Sequence, residues 1–283
     1  LTRDHWGHFF YIRNRGTGRF WSTGYQPTLV QPDSYEVTFA EDKVEFWRHD
    51  ADILTHTEIL VSPEDNVELR RISLTNNSDT SCELDVTSFM ETTLAKPRDD
   101  AAHPAFSNLF VQTEFAAEEG ALLATRRRRS STESQVWGFH VVVIEGETVG
   151  SIQYETDRAR FIGRGHSASD PLAISQDRPL SNTVGSVLDP IFSLRATVRI
   201  GAGQTVRLGF ATGVAGHRDE ALRLADKYHD IHIFSREADI AWTQSQVQLR
   251  HLNISMDKAH TFQRLAGRGI FSDPSLRPRS HVL

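Results

Sequence analysis

The segment ILTHTEILV at Ile53–Val61, followed by the turn PEDN at Pro63–Asn66 and by VEL at Val67–Leu69, decides the fold class. Its isoleucines and threonines recur at every second residue, which is the period of a strand with one buried face. The turn residues and the second run of apolar residues predict a strand that returns antiparallel to the first. The sequence therefore predicts an antiparallel sheet at this point.

The same pattern extends over about the first two hundred residues. The tight turn Asn14–Gly18 separates Phe9–Ile12 from Phe20–Trp21 and predicts a hairpin. Near the end of this part, Ile191–Ile200 and Val206–Phe210 flank a Gly-Ala-Gly turn and are expected to form the last hairpin. Strands and turns at this spacing are typical of a large antiparallel β-sandwich.

Two segments within the strand-rich part lack this period. Residues 95–107 contain two prolines and a cluster of charges, and we expect them to form a loop. Residues 156–186 are rich in Gly, Ser, Asp and Pro and are expected to form a long irregular excursion. Irregular segments of this length in compact domains often carry function.

The period changes to that of a helix after residue 215. The predicted helices begin at Arg218, at about Ser235 and at Met256, and the last ends near Ile270. We expect them to pack back on the sandwich through Trp242, Leu249 and Phe262, because helices of this length are marginal in water without tertiary burial. The sequence is thus divided into a β-domain at residues 1–215 and linker helices at residues 216–283.

Composition excludes several classes of protein. The longest strongly apolar run, Val141–Ile144, is far shorter than the roughly 20 residues of a membrane-spanning helix. The net charge of −6 argues against nucleic acid as a partner, despite the basic run Arg126–Arg129. The single Cys82 excludes a disulfide framework and a multi-cysteine zinc site. The glycine pairs fit hairpin turns better than nucleotide-binding loops, so no nucleotide cofactor is predicted. The histidine pairs His5/His8 and His229/His232 have no nearby cysteine and form no His-Glu-x-x-His string, so no metal is predicted.

The tryptophans of the strand-rich part favour carbohydrate binding, because the C–H faces of sugars pack on flat rings. They are Trp6, Trp21, Trp47 and Trp137. The competing interpretation is that a tryptophan in a sandwich belongs to the core. The residues alone leave both interpretations open.

Glu155–His166, at the start of the irregular excursion, is dense in hydrogen-bonding side chains. Its arginines, aspartate and glycines could hold a polyhydroxylated ligand or an anion. It could equally be a solvated loop with local Asp–Arg pairs, in which Arg158 braces the loop through Asp157. The sequence brings no two carboxylates together at the separation used by glycosidases, so no catalytic residue is predicted.

Longer strings of sequence resemble one enzyme family from one end of the chain to the other. They are Tyr11–Asn14 with Gly18–Ser22, Ala102–Glu114, Thr125–Arg129, Glu155–Gly165, Leu188–Ile191, Ala241–Leu249 and Phe262–Ala266. With them the chain resembles the N-terminal domain of glycoside hydrolase family 94, the inverting glycoside phosphorylases. The resemblance is strongest to the phosphorylase-like region of bacterial cyclic β-1,2-glucan synthases. One departure is Asn14, where the family usually has Asp.

The resemblance implies a fold and a chemistry. The fold is a mainly β, two-sheet antiparallel supersandwich of the galactose-mutarotase-like type, followed by linker helices that lead to an α/α barrel outside this sequence. In the family, an Asp of that barrel protonates the glycosidic oxygen while inorganic phosphate, the co-substrate, attacks the anomeric carbon. No catalytic residue is therefore expected among these residues, and the chain alone is expected to be inactive although its parent protein is an enzyme.

Site residues and partners are also implied by the resemblance. Asp157, Arg158, Phe161 and Arg164 are expected on the ligand side. The expected partners are a β-glucan oligosaccharide, the chain's own downstream α/α-barrel domain and a second copy in a homodimer, but no nucleic acid. The expected location is the cytoplasmic face of the bacterial inner membrane, as part of a membrane-anchored protein, or the cytoplasm. Two alternatives stay open: the same portion of a stand-alone phosphorylase, and a purely structural dimerisation module of a stand-alone β-glucoside phosphorylase.

Overall fold

The structure, a computed structural model, describes residues 7–128, 130 and 133–270. Its strands are β1 (His8–Asn14), β2 (Phe20–Ser22), β3 (Ser34–Phe39), β4 (Val44–Asp50), β5 (Ile53–Val61), β6 (Val67–Asn76), β7 (Cys82–Glu91), β8 (Val111–Ala116), β9 (Ala121–Arg126), β10 (Trp137–Glu145), β11 (Glu147–Thr148), β12 (Gln153–Asp157), β13 (Pro190–Ile200) and β14 (Thr205–Ala215). Its helices are α1 (Pro97–Ala102), α2 (Pro104–Asn108), α3 (Arg158–Ile162), α4 (Leu172–Ser175), α5 (Arg218–Lys227), α6 (Ile233–His251) and α7 (Met256–Ile270).

These strands form two antiparallel sheets that pack face to face. A six-stranded sheet has the order β11-β13-β7-β1-β2, with β12 also paired to β13, and an eight-stranded sheet has the order β3-β4-β5-β6-β14-β10-β9-β8. Their facing sides enclose the main core, which includes Phe10, Ile12, Ile72, Leu194 and Phe210. The predicted two-sheet antiparallel sandwich is confirmed.

The predicted last hairpin is wrong, because β13 and β14 belong to different sheets. β13 pairs with β7, whereas β14 pairs with β6 and β10. Asn76, fully buried at the end of β6, holds this crossing: its side-chain amide donates to the carbonyl oxygens of Thr80 at 2.7 Å and Ile200 at 3.1 Å. The Gly-Ala-Gly turn therefore carries the chain from one sheet to the other.

The outer face of the six-stranded sheet is covered by the irregular excursion. Phe161 and Ile174, from α3 and α4, pack on the outward-facing Tyr11 and Phe89. The guanidinium of Arg195, a residue of β13, donates to the carbonyl oxygens of Ala173 at 2.5 Å and Arg178 at 2.8 Å. The predicted irregular segment thus covers the outer face of the six-stranded sheet and buries the apolar side chains there.

The outer face of the eight-stranded sheet is covered in part by α5 and the start of α6. Leu224, Tyr228 and Phe234 pack on Leu69 and Phe139 of the sheet. The buried part of α6 also carries Glu237, and the Glu237 carboxylate accepts a 2.6 Å hydrogen bond from the Ser62 hydroxyl. The strands end at Ala215 and α5 begins at Arg218. The division of the chain into two domains at residue 215 stays a prediction, since α5 shares a core with the sheet.

Two sequence predictions about helices need correction. Trp242 and Phe262 do not pack on the sandwich: they are 57% and 52% exposed, and Leu249 is half-buried. The buried face of α6 is instead Phe234, Glu237 and Ala241, spaced three and four residues apart. Residues 95–107, expected as a loop, form α1 and most of α2, whose prolines stand in the first turn, where proline is tolerated.

Within residues 7–128 and 133–270, none of the helices combines the length and apolar character needed to cross a lipid bilayer.

Phe234 and Trp242 make a matched pair for testing which face of α6 supports the fold. Phe234→Ala should lower the free energy of unfolding by roughly 3–5 kcal/mol, because it leaves a cavity under the helix. Trp242→Ala should lower it by less than about 1 kcal/mol, because the ring is mostly in solvent. Urea denaturation of both variants measures this difference. A larger loss for Trp242→Ala than for Phe234→Ala would contradict the structure.

Candidate functional site

A cleft of about 600 Å³ opens at one end of the six-stranded sheet, where β7 ends and β13 begins. We call it the Arg158 cleft. Its lining residues are Gly7, His8, Met90, Glu91, Thr92, Thr93, Asp100, Ala105, Asn108, Arg158, Asp189 and Pro190. One wall comes from α1 and α2, another from the junction of β12 and α3. Three of the strings that carry the family resemblance, Ala102–Glu114, Glu155–Gly165 and Leu188–Ile191, therefore meet here.

Asp157 and Arg158 take different parts at this junction. Asp157 caps α3, its carboxylate accepting a 2.8 Å hydrogen bond from the Ala159 backbone N–H. Arg158 points away from Asp157 and donates through Nε to Glu91 at 2.7 Å. The expected local pair of Arg158 with Asp157 is wrong, since the Asp157 carboxylate lies instead 3.6 Å from Arg160.

Phe161 and Arg164 lie in different environments, Phe161 in the core and Arg164 in solvent. Phe161 is fully buried against Tyr11 and Phe89, with ring centroids at 6.0 and 4.9 Å, and does not line the Arg158 cleft; its place on the ligand side stays a prediction. Arg164 follows Gly163 on an exposed turn and makes no hydrogen bond or ion pair with the residues that the structure describes. Gly163 has φ +82°, and a Cβ there would lie 2.6 Å from Leu172, so both conformation and space require glycine.

Two residues that line the cleft carry buried polar atoms left without a hydrogen-bond partner among the described residues. They are the Thr92 hydroxyl and Nε2 of His8. The His8 ring points between the two sheets, where Nδ1 lies 3.4 Å from Oε1 of Glu68 and the ring packs on Phe10. The sequence did not indicate Thr92, which directly follows β7.

Two of the three carboxylates that line the cleft, those of Glu91 and Asp189, have side-chain partners. Glu91 is bound by Arg158, and Asp189 accepts a 3.1 Å hydrogen bond from the Asn108 side-chain amide. The cleft therefore offers a mixture of guanidinium, amide, hydroxyl and carboxylate groups that suits binding of hydroxyl-rich ligands.

Part of the basic run Arg126–Arg129 supports a wall of this cleft. Arg126 donates to the carbonyl oxygen of Ser107, at the end of α2, at 2.6 Å. The guanidinium carbons of Arg126 and Arg127 lie 5.4 and 5.5 Å from the centroid of the Phe110 ring. Arg129 lies outside the described residues. Arg126 and Arg127 thus stabilise the segment that follows α2.

The tryptophans of the β part divide between core and surface. Trp21 is buried between the sheets, and Trp137 is half-buried beside the α5 cluster. Trp47, on the outer face of β4, is 40% exposed. Trp6 lies outside the described residues. The core interpretation is therefore confirmed for Trp21, while Trp47 remains available to a ligand.

One trio among the described residues has metal-ligand chemistry. Atoms of Glu45, His56 and Glu58 lie within 4.8 Å of one another. The Lys43 ammonium, however, lies 3.0 Å from Glu45 and 3.1 Å from Glu58, and Arg71 takes the second oxygen of Glu58 at 2.6 Å. These cations already neutralise the carboxylates, so the trio does not fit a resident metal.

α6 beyond Ala241, the turn after it and α7 carry a second set of exposed apolar residues, which we call the linker-helix face. It consists of Trp242, Val247, Leu252, Met256, Phe262 and Leu265, all exposed. Single exposed apolar residues are ordinary, and these six are spread around the helices, since residues five apart on a helix point about 140° from one another.

Comparison with known proteins gives the relationships of this chain. The family described as "Glycosyl hydrolase 94, supersandwich domain" matches residues 1–231. The cyclic β-(1,2)-glucan synthase of Rhizobium meliloti (strain 1021) is 34% identical over 276 residues, which cover 98% of this chain and 10% of the synthase. The solabiose phosphorylase of Paenibacillus borealis is 26% identical over 219 residues, covering 77% of this chain and 27% of that enzyme.

Among solved structures, a bacterial glucoamylase in complex with acarbose is similar in fold. Its TM-score is 0.50 at 9% identity, with 84% of this chain and 31% of the glucoamylase covered. The chain spans less than a third of the length of each of these three proteins.

His8 makes the stability of the cleft region depend on pH. Burial, followed by the nearby charge of Arg70, lowers the pKa of His8 from 6.5 to about 4. The unfolded chain therefore binds a proton between pH 6.5 and 4 that the folded chain does not, and stability falls as pH falls through this window. Lowering the pH from 8 to 5 should lower the free energy of unfolding by about 2 kcal/mol through His8.

Urea unfolding of the wild type and of His8→Gln at pH 8 and pH 5 isolates this contribution. The variant should lose about 2 kcal/mol less than the wild type, whatever its stability at pH 8. Glu68, whose pKa is lowered to about 2 by its contacts with His8 and Arg70 against the effect of burial, titrates below this window. An equal fall in the two proteins would show that His8 is not the group responsible.

Proposed function

The chain belongs to the glycosyl hydrolase 94 supersandwich family, and from that premise we propose that it is the non-catalytic portion of a larger β-glucan-active enzyme. It faces sugar through the Arg158 cleft and supports the catalytic domain. The parent enzyme acts on β-1,2-glucans by inverting phosphorolysis or glycosyl transfer, with inorganic phosphate as co-substrate.

The length of the match to the synthase carries this proposal. The 34% identity to the cyclic β-(1,2)-glucan synthase extends over 98% of this chain and so includes the linker helices. The matches to the solabiose phosphorylase and to an N,N'-diacetylchitobiose phosphorylase of Vibrio furnissii cover 77% and 82% of it. This difference favours a parent of the synthase type over a stand-alone phosphorylase.

Within such a parent, Arg158 and Arg164 are the residues of this chain that act on the ligand side. Arg158 lies in the cleft, and Arg164 lies on the exposed turn after α3. A guanidinium offers several donors in a fixed plane, which suits sugar hydroxyls or phosphate oxygens. The proton for the glycosidic oxygen comes from the catalytic domain, so these arginines bind and orient rather than transfer protons.

The second proposed role belongs to the linker-helix face, on which the chain's own downstream α/α-barrel domain docks. The apolar residues of this face are in water here, and burying them against a following domain is favourable by the hydrophobic effect. The alternative is that the same face joins two copies of the chain, which would make it a structural dimerisation module without ligand contact. As a location we propose the cytoplasmic face of the bacterial inner membrane or the cytoplasm, which fits the single free Cys82.

The 283-residue chain alone should show no phosphorolysis. Purified chain, incubated with β-1,2-glucan or with cellobiose and inorganic phosphate, should release no glucose 1-phosphate above a no-protein blank, because the proton donor belongs to another domain. The longer protein serves as the positive control. Release of glucose 1-phosphate by the 283-residue chain would contradict the proposal.

Arg158→Ala and Arg164→Ala in the longer protein should each lower kcat/KM for phosphorolysis of β-1,2-glucan. Their melting temperatures should change by no more than about 2 °C, since an exposed charge or ion pair contributes well under 1 kcal/mol in a protein of this size. The matched control is Arg199→Ala: Arg199 is also exposed and paired, with Glu83 and Glu147, but it lies at the opposite end of β13.

The control variant should keep wild-type kinetics and stability. Wild-type kinetics in both Arg158→Ala and Arg164→Ala would reject the ligand-side role and favour the structural dimerisation module. A large fall in melting temperature with unchanged kinetics would assign these arginines to folding.

A further inference from the structure

The outer face of the eight-stranded sheet is only partly covered by helices. Next to the apolar part under α5 and α6, a row of side chains crosses five neighbouring strands in direct register. The row is Trp47, His56, Ser73, Arg207 and Glu145. With strands about 4.8 Å apart, it extends over roughly 19 Å.

A groove of about 590 Å³ lies over this row. Its floor is the row itself with Glu58 and Arg71, and its opposite wall is the turn into α6, with Ile231, His232 and Ser235. We call it the outer groove. It shares no lining residue with the Arg158 cleft, although the class of sugar inferred for it rests on the proposed function.

At one end of the outer groove is an aromatic platform. The rings of Trp47 and His56 stack with their centroids 3.7 Å apart and their planes within 11°. His56 covers one face of the indole, so the 40% exposure of Trp47 belongs to its other face and its edges. A flat ring held in this way offers a surface for the C–H face of a sugar.

Ion pairs beneath and beside the platform hold its groups in place. Glu58 is buried and bonds to both Lys43 and Arg71, and Glu45 lies 3.2 Å from Nε2 of His56. Arg71 in turn donates to the Ser235 hydroxyl at 3.2 Å, which ties the floor to the α6 wall. The groove is therefore built before a ligand arrives, which lowers the entropic cost of binding.

The charges of the outer groove and its border balance. Lys43, Arg71 and Arg207 face Glu45, Glu58 and Glu145, and each cation lies in an ion pair with one or more of these carboxylates. A phosphorylated or acidic ligand would find no net positive charge here, and an apolar ligand would have to desolvate several charges. At the far end, the exposed pair of Arg207 and Glu145, 3.1 Å apart, offers donors and acceptors for hydroxyl groups.

We propose that the outer groove is a binding site for a neutral β-linked glucan chain, separate from the Arg158 cleft. One glucose unit stacks on Trp47, and the following units cross the strands toward Arg207 and Glu145. The outer groove lies on the eight-stranded sheet, whereas the Arg158 cleft lies at the end of the six-stranded sheet. Glucan in the groove is therefore bound away from the cleft.

Isothermal titration calorimetry of the 283-residue chain with a linear β-1,2-gluco-oligosaccharide, and separately with a cello-oligosaccharide, tests the proposal. We expect binding of at least one of these probes. Trp47→Ala should weaken it about tenfold or more through loss of the platform, and Arg207→Ala should weaken it severalfold. Inorganic phosphate, used as an anionic probe, should not compete. Near-UV and far-UV circular dichroism verify that the variants are folded.

Two matched controls locate the bound sugar. Trp242→Ala removes an exposed tryptophan from the linker-helix face, and Arg199→Ala removes an exposed, ion-paired arginine from the other sheet; neither should change the affinity measured for the groove. Absence of binding by both probes would overturn the proposal, as would equal affinity in wild type, Trp47→Ala and Arg207→Ala. Loss of binding only in Arg158→Ala would place the sugar in the cleft, which rejects the groove and leaves the proposed function standing.

Discussion

The constraint on which the structure depends is that both sheets carry apolar side chains on both faces. Ile12 points into the core between the sheets while its neighbour Tyr11 points outward, and Phe210 and Ala211 alternate in the same way. A sandwich buries only the inner faces, so each outer face needs a cover of its own. The excursion after β12 covers one, and the helices after β14 cover part of the other.

These covers also position the surfaces available for binding. The first cover begins at the Asp157 cap, and this junction places Arg158 against Glu91 at the mouth of the cleft. The second cover, α5 and the start of α6, ends where the outer face of the eight-stranded sheet becomes polar. The outer groove lies on this uncovered polar part. Beyond Ala241, α6 no longer contacts the sheet closely, which leaves the linker-helix face in solvent. The same packing problem thus accounts for a cleft, a groove and the linker-helix face.

The sequence predicted the elements better than their partners. The period of two located the strands, but it could not show that β13 and β14 lie in different sheets, because both have the same alternation and a Gly-Ala-Gly turn permits either path. The helices were found near their observed limits, yet the buried face of α6 was misjudged. That face contains Glu237, whose buried carboxylate accepts a hydrogen bond from Ser62, distant in sequence, and lies 3.7 Å from the Lys227 ammonium.

The residues that line the cleft could be found from the sequence only in part, for the same reason. The motif containing Arg158 and Arg164 contributes Arg158 to the cleft, whereas nothing local indicates that Phe161, an aromatic residue in a glycine-containing segment, is buried against the sheet; the ligand-side role of these residues stays a prediction. Glu91 and Thr92 were missed, since their significance arises only when β7 meets the excursion. A structure of the longer protein with a bound β-1,2-gluco-oligosaccharide tests the account most directly. The account predicts the linker-helix face buried against the following domain and sugar at the Arg158 cleft; a solvent-exposed linker-helix face, with the cleft turned away from the sugar of the catalytic centre, would contradict it.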